Sequence, residues 1–180
     1  MAARRSTRTL DLNTVRALAT LAILLCSMGA FAQKPPAGWR FPTEADIKGG
    51  WAEYHHLFPR PYHARADFNG DGILDDVWIL IARDGKGSGV FVFLSEMQGR
   101  FRTIKIFSDD RSPAQGYAVA SVPPGKHLTF CGRDSDCEEG EPASVTLKNA
   151  GFELITLGTA AGLYYWNRKT RSFSSVTTAD

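Results

Sequence analysis

The sequence predicts an α+β fold in which an N-terminal helix packs on a mainly antiparallel, β-rich sheet that carries one disulfide. Three observations predict it. Ile47, Trp51 and Tyr54 follow one another at helical spacing near the front of the chain. Short apolar runs rich in β-branched and aromatic residues follow, separated by Gly, Asn and Asp turn signals. Two cysteines, Cys131 and Cys137, lie close together late in that series. With 43% hydrophobic residues in a chain of 180, there is enough apolar material for one packed core, and too little chain for a multi-blade propeller.

The first 32 residues read as an address and not as part of the fold. Arg4, Arg5, Arg8 and Arg16 precede an apolar stretch from Ala17 to Phe31, which ends in Ala30-Phe31-Ala32 ahead of Gln33. A basic start, a short apolar middle and an A-x-A end are the parts of a cleavable secretory signal. The apolar stretch is short for a hydrocarbon span, which needs roughly 20 residues. Leu25 before Cys26 is large for a lipoprotein site. The leader holds four arginines and one aspartate, so residues 33–180 carry 17 basic against 18 acidic side chains. That balance gives no support to a nucleic-acid-binding face, and no later stretch is apolar enough to span a membrane. The expected location is periplasmic or secreted, with residues 33–180 as a single β-rich domain.

Within that domain the elements follow in order. Gln33 to Pro42 is Pro-rich and extended, ending with Trp39 and Phe41 packing down. Thr43 is an N-cap with Asp46 three residues on as its capping-box partner. The helix that follows is weakened by Gly49-Gly50, at a cost of roughly 2 kcal/mol relative to alanine, and Pro59 and Pro61 end it. Val77 to Ala82 and Val90 to Leu94 are apolar at every position and flank the turn-forming Arg83 to Gly89, a hairpin destined for the middle of the sheet and placed under the helix. Further strands are expected at 101–107, 117–122, 126–130, 144–147, 152–156, 163–166 and 172–177. Trp166 should pack across from Phe173.

Cysteine use agrees with export. Cys26 leaves with the leader, and the remaining pair is even in number. In an oxidising compartment Cys131 and Cys137 should join, contributing roughly 2 kcal/mol by restricting the unfolded chain. A metal pair and a redox pair are the rival readings. Zinc asks for more Cys or His ligands, and a redox pair asks for C-x-x-C.

One segment carries chemistry: Asp67-Phe68-Asn69-Gly70-Asp71-Gly72-Ile73-Leu74-Asp75-Asp76. Oxygen-bearing side chains at 67, 69 and 71 converge if the chain curls. Gly72 permits the sharp turn, the Ile73 carbonyl points inward, and Asp75 closes the ring. Hard oxygen donors with no nitrogen or sulfur suit Ca²⁺, and carboxylates held this close repel one another without a cation between them.

The run D-x-N-x-D-G-x-x-D leading into an apolar strand resembles the calcium loop of FG-GAP and VCBS-type repeats. That resemblance implies Asp67, Asn69, Asp71 and Asp75 as side-chain ligands and Ile73 as a backbone ligand. It covers only the loop and its strand. The loop also resembles the first half of an EF-hand or dockerin loop, but Trp78 stands where an EF-hand needs its bidentate acid. More loosely, residues 33–180 resemble small exported bacterial proteins with an opening helix, one such loop and a Pro-Gly-x-x-x-Thr-x-Cys-Gly segment, here Pro124 to Gly132. That likeness implies no activity.

Other candidates weigh less. Asp134, Asp136, Glu138, Glu139 and Glu141 form an acidic stretch around Cys137, read as solvated. His55, His56 and His63 lack the i, i+4 spacing of a helical metal pair. Gly85 to Gly89 matches no phosphate loop, and no G-x-S-x-G elbow is present. Tyr164-Tyr165-Trp166 offers a surface for sugar stacking or, more simply, one side of a hairpin. The expected function is a calcium-binding structural or binding module that meets a protein or polysaccharide partner and has no catalytic site. One alternative is a calcium-dependent hydrolase of extracellular or cell-wall polymer, with Asp76 or an acid of the 134–141 stretch as base. The other is an enzyme inhibitor presenting the Cys131–Cys137 loop.

Overall fold

In a computed structural model the described residues are 33–180, apart from 135, 136 and 138. The expected leader, residues 1–32, lies outside them. The strands are β1 (Trp39–Arg40), β2 (His63–Ala66), β3 (Asp75–Ala82), β4 (Ser88–Ser95), β5 (Phe101–Asp109), β6 (Tyr117–Val122), β7 (Gly125–Leu128), β8 (Ser144–Leu147), β9 (Gly151–Thr156), β10 (Ala160–Asn167) and β11 (Ser172–Ala179). All their pairings are antiparallel. The single sheet expected from the sequence is instead two larger sheets and a small hairpin. The first sheet runs β3-β4-β5, with β1 and β2 both bonded to the free edge of β3; the second runs β11-β10-β9-β6; β7 and β8 pair alone.

The alternation of side chains along each strand explains why two sheets are needed. Val77, Ile79 and Ile81 of β3 and Val90, Val92 and Leu94 of β4 join one core with Val119 of β6 and Phe152 and Leu154 of β9. The opposite face of the first sheet is apolar too, with Leu80, Phe91 and Phe93 buried. The extended segment before Pro42 covers it. Trp39 packs edge-on against Phe91 at 5.1 Å, and Phe41 against Trp78 at 4.8 Å. Burial of a side chain of this size contributes roughly 2–3 kcal/mol. The hairpin β3–β4 is therefore central, as its composition requires, but its outer cover is this strap and not a helix.

The expected helix from Thr43 is replaced by two short turns. Thr43 caps Glu44–Asp46, a 3₁₀ turn, with its backbone N–H and hydroxyl both donating to Asp46 Oδ2. Arg40 then grips Asp46 with two bonds of 2.7 Å. The chain breaks at Gly49, whose φ of +53° is left-handed, before one turn of helix, α1 (Gly50–Glu53). Gly50 lies so close to the Gln115 carbonyl that a Cβ would sit 2.3 Å from it. The two glycines are thus the means of docking and not a weakness in a longer helix. What they dock is Trp51, fully buried, with its indole N–H donating to the Tyr117 carbonyl at 2.7 Å.

The strand expected over 126–130 ends at Leu128, and α2 (Phe130–Asp134) follows. Thr129 starts it, its hydroxyl accepting from Gly132 N and donating to the Pro142 carbonyl. Cys131 and Cys137 are joined as a disulfide. No helix among the described residues is long and apolar enough to cross a membrane.

Candidate functional site

The 67–75 segment connects β2 to β3, and both ends are anchored. Phe68, in the x position of D-x-N, is fully buried and meets the ring of Phe152 edge-on at 5.6 Å. This inward turn of Phe68 forces its neighbours Asp67 and Asn69 toward the loop's other side. Gly70 and Gly72, at φ of +77° and +84°, then curl the chain. Only glycine adopts such angles without strain.

The curl brings backbone N–H groups onto the predicted ligands. Asp67 is half-buried; its Oδ1 accepts from Gly70 N at 2.7 Å and Asp71 N at 3.2 Å, and its Oδ2 from Gly72 N at 2.9 Å. Half-buried Asn69 accepts from Asp71 N through Oδ1 and donates to Asp71 Oδ2 through Nδ2. Asp71 is exposed and accepts from Ile73 N at 2.8 Å. Ile73 is exposed.

Asp75 differs from the other four in being fully enclosed. Its Oδ2 accepts from Phe68 N at 3.0 Å and Asn69 N at 3.4 Å, and its Oδ1 from Ser95 N at 2.8 Å. The carboxylate therefore ties the loop to the end of β4. Burial pushes its pKa up from 3.8 to about 6 against the pull of these three bonds, and the Asp71 charge adds to the rise.

Asp67, Asn69 and Asp71 are thus on one short curl, joined by hydrogen bonds, while Asp75 is drawn beneath it. Among the described residues no three His, Cys, Asp or Glu side chains form a metal-binding group. As a donor set, the four side chains and the Ile73 carbonyl offer oxygen only, which fits a hard divalent cation. A carboxylate oxygen carries two lone pairs, so Asp67 Oδ2, Asp71 Oδ1 and Asp75 Oδ1, which accept one N–H each, keep capacity for a cation.

Beside the loop lies a groove of which sequence reasoning singled out only Tyr165 and Trp166. Its volume is about 360 Å³, and its lining includes Lys148, Asn149, Tyr165, Trp166, Arg168 and Lys169, with no acidic residue. Arg168 Nη2 donates to the Gly70 carbonyl at 3.5 Å and to Asn149 Oδ1 at 3.4 Å, so the loop and the groove share one guanidinium. The fit around Gly70 is close: a Cβ there would fall 2.4 Å from Asn149 and 2.6 Å from Arg168. Nothing in the local sequence marks these turn residues, because the β8–β9 and β10–β11 turns meet the loop only in the folded chain. Trp166 packs edge-on with Phe173 at 5.2 Å, as expected, and the Arg102 guanidinium lies 5.3 Å from its ring.

Asp76, the alternative catalytic base, points to the opposite face of β3 from Asp75. Its Oδ1 is 2.7 Å from His63 Nε2 and 3.7 Å from Arg65. Burial works to raise its carboxyl, but the bonds from His63 and Gln33 and the charges of His63 and Arg65 outweigh it and leave the pKa lowered. In the acidic stretch around Cys137, residues 136 and 138 lie outside the described residues. No protein-family model matches this chain, and neither the curated proteins nor the solved structures yield a match.

Proposed function

We propose that the chain is an exported calcium-binding module without a catalytic site, in which Ca²⁺ held by Asp67, Asn69, Asp71, the Ile73 carbonyl and Asp75 fixes the start of β3. The observation that carries this reading is the buried, upshifted Asp75 beneath a glycine-curled row of oxygens, a charge arrangement that a cation relieves. Asp76 gives the hydrolase alternative less support, because a base wants a raised pKa and a free lone pair, and its carboxyl is lowered and bonded to His63 and Gln33.

Calcium at 100-fold over its dissociation constant adds ~2.7 kcal/mol to folded stability. Melting after chelation and again in excess calcium should therefore show a rise of roughly 10 °C for a domain of this size. In the Asp71→Ala variant, which removes an exposed ligand, the chelated melt should hardly change and the calcium-dependent rise should vanish. Identical wild-type melts in both conditions would end the calcium reading.

The partner surface in this reading is the groove beside the loop. Three cations and no acid suit a carboxylated polysaccharide, whose carboxylate meets Arg168. Binding of a glucuronate-bearing oligosaccharide, measured against its neutral counterpart, should be lost in Arg168→Glu and weaken with salt. Equal retention of both sugars by both proteins would assign the groove no such role.

A further inference from the structure

The outer face of β3 carries a polar cluster that the calcium reading does not use. Asp76 is buried there beside His63, whose ring stacks on Trp78 with centroids 4.0 Å apart. Two polar positions of this cluster, Asp76 Oδ2 and the Trp78 indole N–H, are taken by one side chain. Gln33 Nε2 donates to Asp76 at 2.5 Å, and Gln33 Oε1 accepts from Trp78 at 3.1 Å. Gln33 is also the residue directly after Ala30-Phe31-Ala32, where the leader should be cut. The strap that begins at Gln33 continues along the same face, with Trp39 and Phe41 against Phe91 and Phe93.

We propose that Gln33 is the amino-terminal residue of the exported protein and is present there as pyroglutamate, its lactam seated between Asp76 and Trp78. This rests on the export reading above, independently of calcium. An amino-terminal glutamine places its α-amine within a five-membered ring of its own amide carbon. The amine nitrogen attacks Cδ, a C–N bond forms, the Cδ–Nε2 bond breaks, and Nε2 leaves as ammonia with a proton from the amine. Nothing is oxidised or reduced, and no co-reactant is consumed.

The product keeps what the cluster reads. A lactam presents a carbonyl oxygen and an N–H on one carbon, the same acceptor and donor that the glutamine amide offers to Trp78 and Asp76. The terminal positive charge disappears, and Asp76 retains His63 and Arg65 as neighbours. Seated this way, the first residue is both chemically blocked and sterically held, so an exopeptidase would have to detach the strap before reaching it.

The test is the intact mass of the protein purified from the periplasm after expression of the full chain. The expected mass is that of residues 33–180 with one disulfide, less one ammonia. A terminus at Gln33 with its amine free overturns the cyclisation while leaving the export reading intact. A terminus elsewhere in periplasmic protein overturns the proposal and leaves export intact, and uncleaved chain that is absent from the periplasm overturns both. The seat itself is tested with pyroglutamyl aminopeptidase: release should occur from denatured protein and be lost in the native one, and Trp78→Phe, which removes the indole N–H, should restore it. Equal release from native and denatured wild-type protein would overturn the seating.

Discussion

Replacing Asp75 with alanine is expected to remove about 3 kcal/mol of stability, roughly 10 °C in melting temperature, because it strands the buried N–H groups of Phe68, Asn69 and Ser95. Asp75→Asn should cost less, since its amide oxygen still accepts part of that set. The pH dependence carries a further signature. The Asp75 pKa is raised in the folded chain, to about 6 from 3.8, so the folded state binds its proton more tightly than the unfolded state does. In chelator, the wild-type protein should therefore lose about 3 kcal/mol as pH rises from about 4 to about 6, and the alanine variant should lack that slope. Asp46, Asp76 and Asp109 are held low, Asp46 chiefly by the Arg40 bond, Asp76 against its burial by the bonds from His63 and Gln33, and Asp109 by Ser112. Their contributions run the other way, present above about pH 4 and lost below it. Saturating calcium, by preferring the ionised carboxylate, should flatten the Asp75 slope. Denaturant titrations across that pH range, with and without calcium, check all of this; matching slopes in wild type and Asp75→Ala would remove Asp75 from the account.

The other large effect is expected at Phe152. It is fully buried, stacked on Tyr164 at 5.2 Å and in edge contact with Phe68 and Phe173 at 5.6 and 5.5 Å. Phe152→Ala should cost about 4 kcal/mol through lost burial and the cavity left between the sheets. Because Phe68 leans on the same ring, the variant should also weaken the calcium-dependent rise in melting temperature. Urea denaturation should show a lower midpoint with an unchanged slope. A loss below about 1 kcal/mol would mean that the core closes over the gap.

Much of the β framework was legible because it rests on local signals. Val77 to Ala82 and Val90 to Leu94 are apolar at every position, and β3 and β4 do lie covered on both faces. The strands expected at 117–122 and 144–147 coincide with β6 and β8, and the remaining expected strands differ from those observed by a few residues at their ends. The division into two sheets was not legible, because alternation along a strand states which residues share a face but not which strand that face will meet. The opening helix failed for a related reason. Ile47, Trp51 and Tyr54 have helical spacing, but Gly49 turns left-handed and Gly50 answers to the Gln115 carbonyl, 65 residues after it in sequence. At the candidate site, the curl and its oxygens followed from Asp, Asn and Gly spacing. The inward commitment of Asp75 to Ser95, the guanidinium of Arg168 and the clasp of Gln33 are long-range partnerships with no local mark.

The adjacent carboxylates Asp75 and Asp76 have opposite tasks, one pinned to the loop and β4 on the inner side, the other to His63 and Gln33 on the outer. Their pairing acts as a phase marker for the whole first sheet. Sliding β3 by a single step against its neighbours would strand a charge on each side at once. The uniformly greasy stretch that follows them could pair in several alignments with little penalty of its own. Two consecutive acids, each fitting only one side, leave it a single permitted alignment.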